Sequence, residues 1–152
     1  ANEYGKNVTV LEMLPHFMMG VCTANRGHLL HYLEKSGVRL YNCTKVKALA
    51  KDGVYVEQNQ SQTVPDPYNT WQPLLPPNIP NPMEKAIKEE IVEKKIPADL
   101  IVLAMGGKAD ETFFFEAGEE HLAKEIYNIG DSSRAGRVLE AVRGAYHLAV
   151  RI

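Results

Sequence analysis

The run Asn7-Val8-Thr9-Val10-Leu11-Glu12 ends on a carboxylate. At the carboxyl end of a buried strand, a carboxylate can accept hydrogen bonds from both hydroxyls of an adenosine ribose, and its charge repels a 2′-phosphate. Glu12 there would favour NAD over NADP. Read locally, a solvated strand-end carboxylate is the commoner outcome for such a residue. A second candidate is Ile129-Gly130-Asp131 ahead of a helical stretch. A glycine allows close backbone approach to a ligand, an aspartate at a strand's end can receive a sugar hydroxyl, and the following helix start presents N–H groups. An ordinary loop with Asp131 as helix cap explains the same residues on local grounds. His28 and His31 stand three apart, with His16 and Cys22 not far off. A metal needs three or four converging ligands, and no second ligand pair of known spacing accompanies them, so no metal site is expected. Cys22 and Cys43 read as small core residues. No nucleophile elbow, phosphate-loop signature or paired carboxylates occur, and no catalytic acid, base or nucleophile is assigned.

The elements that must carry these residues follow from periodicity. Residues 7–12 are β-branched and read as a buried strand, and Gly5 suits the end of a preceding helix. Pro15 interrupts, and a helix begins near Thr23 to Asn25, with Leu29, Leu30 and Leu33 at helical spacing and Gly37 as its stop. Residues 38–43 alternate as a second strand. Lys45 to Ala50 and Val54 to Glu57 form two strands about the Asp52-Gly53 turn. Residues 60–82 then change character: seven of the nine prolines lie between Pro65 and Pro82, with the single Trp71. Repeated proline removes donors and fixes φ, so this stretch reads as a long loop. Asn81-Pro82-Met83-Glu84 resembles a helix start, and residues 85–95 read equally as its continuation or as the return strand of an interrupted hairpin. Residues 98–104, a continuous apolar run, predict a strand covered on both faces, followed by the Met105-Gly106-Gly107 turn. Residues 126–129 predict one more short strand. From Arg137 to Ile152 a helix places Val138, Ala141, Val142, Ala145, Leu148 and Ala149 on one stripe.

The chain has 152 residues, 45% of them hydrophobic and 24% charged, with a formal charge of −2. That is one domain's worth of foldable protein and argues against global disorder. A near-neutral balance gives no bulk basic field, so nucleic-acid partners are not expected. No apolar run approaches the roughly 18 residues of a membrane span, and the first residues lack the pattern of a signal peptide. Two cysteines are too few for a disulfide scaffold. The expected setting is cytoplasmic, with no membrane partner.

Taken together, three segments resemble a known family. Gly5-Lys6-Asn7-Val8-Thr9-Val10-Leu11-Glu12-Met13-Leu14-Pro15 is similar to the second strand of an NAD-binding lobe in pyridine-nucleotide flavoprotein oxidoreductases. Ala98-Asp99-Leu100-Ile101-Val102-Leu103-Ala104-Met105-Gly106 resembles their strand leading to a glycine turn. Tyr127-Asn128-Ile129-Gly130-Asp131 through Arg137-Val138-Leu139-Glu140-Ala141-Val142 resembles their closing flavin-binding segment. The combination most resembles the carboxyl-terminal end of the 2,4-dienoyl-CoA reductase and 2-enoate reductase group, in which an old-yellow-enzyme barrel is joined to an electron-input module. The resemblance implies Glu12 on the NAD adenosine ribose and Gly106 near the crossing between the two nucleotide lobes. It implies Gly130 and Asp131 at the FAD ribitol and pyrophosphate, with Arg137 and Val138 presenting backbone N–H groups to the flavin ring. It further implies a parent enzyme passing hydride from NADH to FAD, with FMN and an iron–sulfur cluster bound outside this chain and an activated alkene as final acceptor. An NADH oxidase or amine dehydrogenase parent shares the module, and a non-catalytic nucleotide-fold interaction domain is the alternative from another class.

The family's G-x-G-x-x-G turn, about 20 residues before the ribose-binding acid, does not occur among the 11 residues ahead of Glu12 or anywhere else in the chain. The expected fold is therefore α/β: a truncated Rossmann-like, mostly parallel sheet with helices on both faces and an antiparallel hairpin. Residues 1–59 form a partial NAD-binding lobe, 60–95 a proline-rich insertion and charged segment, 96–125 the end of that lobe and a crossover, and 126–152 the closing strand and helix of the FAD lobe. Losing the first strand would leave ladder groups open on the 7–12 and 98–104 strands. Either those two strands pair directly, or a homodimer or the remainder of the parent enzyme completes the sheet.

Overall fold

The computed structural model describes residues 4–71, 75 and 78–152. It divides into two units, Ala1–Ile101 and Val102–Ile152. In the first, β1 (Thr9–Leu11), α1 (Thr23–Lys35) and β2 (Arg39–Tyr41) form a βαβ unit. The two strands pair in parallel, Val10 opposite Leu40. Helix α1 ends in a Schellman motif: Gly37 sits at φ +71°, its N–H donates to Glu34 O at 2.9 Å, and Val38 N–H donates to Leu33 O at 3.0 Å. That stop turns the chain directly into β2. Phe17, Leu30, Val38 and Leu40 form the buried core, with Val8, Met18, Leu33 and Tyr68 packed around it.

A three-stranded antiparallel sheet follows, ordered β3 (Thr44–Ala50), β4 (Gly53–Asn59), β5 (Ile91–Pro97). Residues 91–97 thus take the return-strand alternative, with Val56 opposite Lys94. Their charged, β-branched alternation suits a half-exposed strand, and ladder pairing with β4 outweighs helix propensity. Asn81 does not start a helix. Its Oδ1 accepts from Met83 N–H at 3.0 Å and its carbonyl from Glu84 N–H at 3.1 Å, making a side-chain-closed turn. Gly53, at φ +156°, admits no side chain: a Cβ would overlap the Ile96 carbonyl oxygen on β5 and stand 3.0 Å from Pro97 Cα. Lys94 lies 4.7 Å above the Tyr41 ring, joining β5 to the end of β2.

Two expected strands do not form. Residues 98–104 are irregular, with Leu100 82%, Val102 78% and Leu103 61% exposed. An apolar run becomes a strand only where a neighbour supplies ladder partners, and none of the described residues does so here. Among the described residues, 98–101 form no ladder with β1. Residues 126–129 are likewise without a ladder, although Ile129 keeps an extended backbone. The second unit instead holds α2 (Thr112–Glu119), not anticipated from the sequence, a short 3₁₀ turn at Gly130–Ser132, and α3 (Val138–Ala149) as expected. The stripe of α3 is only partly covered: Val138 is 80% and Val142 59% exposed.

Candidate nucleotide-binding site

Glu12 follows β1 immediately, at the carboxyl end of the parallel pair. Its N–H donates to Tyr41 O and its carbonyl accepts from Thr44 N–H, each at 2.9 Å, so the backbone is laced to the strand beside it. Its Oε1 accepts from Leu14 N–H at 2.9 Å. This short-range bond tethers the carboxylate to its own loop, and one N–H cannot saturate four lone-pair sites. Leu14 O in turn accepts from Cys43 N–H at 3.1 Å. Two non-glycine residues flank this region at positive φ, Met18 at +54° and Cys43 at +45°. Such backbone persists only where surrounding bonds hold it.

Behind this loop lie polar residues that sequence reasoning did not single out. Arg26 is 3% exposed, and among the described residues no carboxylate pairs with it. Burial pulls its pKa below the ordinary value. Asn42 is 5% exposed and Tyr68 bonds β2 on its outer side, the hydroxyl donating to Val38 O at 2.6 Å and accepting from Leu40 N–H at 3.1 Å. A polar residue following strand β2 and a tyrosine after Pro65-Asp66-Pro67 carried no periodic signal. The first half of the proline-rich segment is thus docked onto the βαβ unit. Its turns are closed by Asp66 and Asn69 side chains accepting from Tyr68 and Trp71 N–H groups at 3.0 Å.

The imidazole of His16 is held below its usual pKa, first by burial and then by the positive charge of Arg26, with Glu84 partly opposing. Burial pushes the Cys43 thiol up, away from a reactive thiolate. Among the described residues, no three His, Cys, Asp or Glu side chains converge on a metal position.

The remaining expected residues lie in the second unit. Gly106, at φ +78°, sits in an open stretch where a Cβ would meet nothing within 4 Å. Gly130, Asp131, Arg137 and Val138 are gathered about the start of α3. Gly130 is at φ +72°, and its carbonyl accepts from Ser133 and Arg134 N–H groups at 3.1 and 2.9 Å. Asp131 Oδ1 accepts from Gly136 N–H at 3.2 Å, which closes the turn leading into the helix. The Glu140 carboxylate takes the Arg137 N–H at 3.1 Å and the Arg137 guanidinium at 2.8 Å. The backbone donor that the resemblance assigned to a flavin carbonyl at Arg137 is therefore engaged within the helix start. Val138 opens the helix beside it.

A parallel βαβ unit with a carboxylate at the end of its first strand is a Rossmann-like arrangement, and in the second unit a glycine–aspartate turn enters a helix. Residues 1–143 match the pyridine nucleotide-disulphide oxidoreductase family, and the chain belongs to it. Among solved structures, 2-naphthoyl-CoA reductase in complex with 2-naphthoyl-CoA is similar over 99% of this chain, with a TM-score of 0.66 and 24% identity. The likeness shows a shared Rossmann-like α/β fold, and this chain spans 18% of that protein's length. No curated protein matches the chain. No helix among the described residues is long and apolar enough to cross a membrane.

Proposed function

We propose that this chain is the NAD(H)- and FAD-contacting portion of a larger NADH-dependent flavin oxidoreductase of the enoate or dienoyl-CoA reductase kind. The observation that carries the reading is Glu12, a carboxylate tethered at the carboxyl end of a parallel strand in a chain of this family. Its acceptors suit a ribose diol and oppose a 2′-phosphate. Gly130 and Asp131 suit the sugar and phosphate of a flavin dinucleotide, since a positive-φ glycine lets backbone come close to a ligand. When bound, the two cofactors supply the hydride chemistry, and the residues here orient them. A CoA-ester reductase among the similar structures supports an acyl-CoA or enoate parent. FMN, an iron–sulfur cluster and the reducible substrate belong to the rest of that parent. The remainder of the parent, or a second copy of the chain, completes the open edge of β1.

Calorimetric titration of the chain with NADH, NADPH and FAD tests this. NADH is expected to bind more tightly than NADPH, and Glu12→Ala should weaken NADH by about tenfold, the worth of a hydrogen bond to a charged group. An NADH/NADPH ratio unmoved by that change would refute the ribose assignment.

A further inference from the structure

The loop after Glu12 and the segment after Pro65 are joined by two buried side chains that belong to neither. Asn42 Nδ2 donates to Pro15 O at 2.7 Å and to Pro65 O at 2.8 Å, using both of its N–H groups. Arg26 Nε donates to Phe17 O at 2.8 Å, and its Nη1 donates to Asn69 O at 3.1 Å. Each side chain therefore ties one carbonyl of 15–17 to one carbonyl of 65–69. Tyr68 pins the same segment to the outer edge of β2. Leu14, whose N–H holds the Glu12 carboxylate, is the residue before Pro15. A shift of the loop at Pro15 must therefore move the group that orients Glu12. A guanidinium buried on backbone carbonyls is costly to desolvate, which fits a role in geometry better than one in stability.

We propose that Arg26 and Asn42 are positioning residues: they brace the loop following Glu12 against residues 61–71 and so hold the ribose-binding carboxylate in place. The proline-rich segment is then part of the nucleotide site's support. This deepens the nucleotide reading above and rests on it.

The test uses the full 152-residue chain carrying Arg26→Met or Asn42→Ala, with two readouts. Backbone hydrogen exchange should rise about tenfold at residues 13–18 together with 61–71, leaving β3 and β4 unchanged. NADH affinity should fall about tenfold, and the NADH/NADPH ratio should narrow although Glu12 is intact. Arg26→Lys, which cannot fork to both carbonyls, should not rescue either readout. Tyr68→Phe keeps the ring in the core and loosens 61–71 from its other side, so exchange at 13–18 must rise with it as well. Loosening confined to 61–71, or an unmoved ratio in a chain that binds NADH, overturns the brace. In a wild-type chain that binds no NADH, where the site awaits the rest of the parent, the exchange pattern decides alone: coupled loosening of 13–18 with 61–71 supports the brace, and uncoupled loosening overturns it.

Discussion

At the residue scale, the proposed function asks these side chains for orientation more than for proton transfer. Glu12 is tethered by a neighbouring N–H, Cys43 is held as a thiol, and His16 is held neutral by burial beside the Arg26 cation. The last of these has a consequence for stability. Because His16 has a folded pKa below its ordinary 6.5, the unfolded chain takes up the proton first. Its contribution to stability is complete above about pH 6.5 and is lost as the pH falls through the folded value. Urea midpoints measured between pH 7.5 and 5 should therefore decline toward acid, and His16→Gln should flatten that slope. An identical slope in the variant would remove His16 as the cause. Glu12 was legible as a candidate because a carboxylate closing a β-branched run is a pattern in sequence. Arg26, Asn42 and Tyr68 were not, because their importance lies in carbonyls 9 to 43 residues away.

At the element scale, β1, α1, β2, the hairpin and α3 follow from local signals. Gly37 and Gly53 show why: each stands where the backbone needs a conformation or a clearance that other residues lack. Gly53→Ala should cost about 2–3 kcal/mol, since the added methyl meets β5 backbone and cannot be relieved by a rotamer change. Chemical denaturation would show it as a lowered midpoint. A loss under about 0.5 kcal/mol would mean that the β4–β5 register yields at its end. The β5 strand remained ambiguous in sequence because Ile91, Val92 and Ile96 fit both periods. Pairing with β4 across the full length of the proline-rich segment decides it. Residues 98–104 and 126–129 show the converse, apolar segments whose pattern asks for a strand but which lack a neighbour.

At the scale of the whole molecule, apolar burial is uneven. The unit of residues 1–101 contains the core around Leu30 and the buried Val54 and Val56. Among the described residues of 102–152, Ala117 is the buried hydrophobic, while Phe113, Phe115, Val138 and Tyr146 are each more than half exposed. So many exposed large apolar side chains accord with the proposed place in a larger enzyme. Few buried contacts also mean low local stability. Limited proteolysis should cut first between Ala98 and Glu111, where no helix or strand protects the chain, and should leave an amino-terminal product as the lasting one. Survival of a carboxyl-terminal product, or uniform decay of both, would contradict this distribution of stability.

The amino-acid sequence by itself determined the α/β class, most element positions and the resemblance from which Glu12, Gly130 and Asp131 are proposed as binding residues. Those rest on periodicity, backbone conformation and short-range hydrogen bonds, all of which act over a few residues. Tertiary structure alone decided which apolar runs became strands, that residues 61–71 dock rather than wander, and that Arg26 and Asn42 join distant loops. The reason is physical. A ladder bond or a buried polar contact needs a partner brought from elsewhere in the chain, and local pattern cannot say whether that partner arrives.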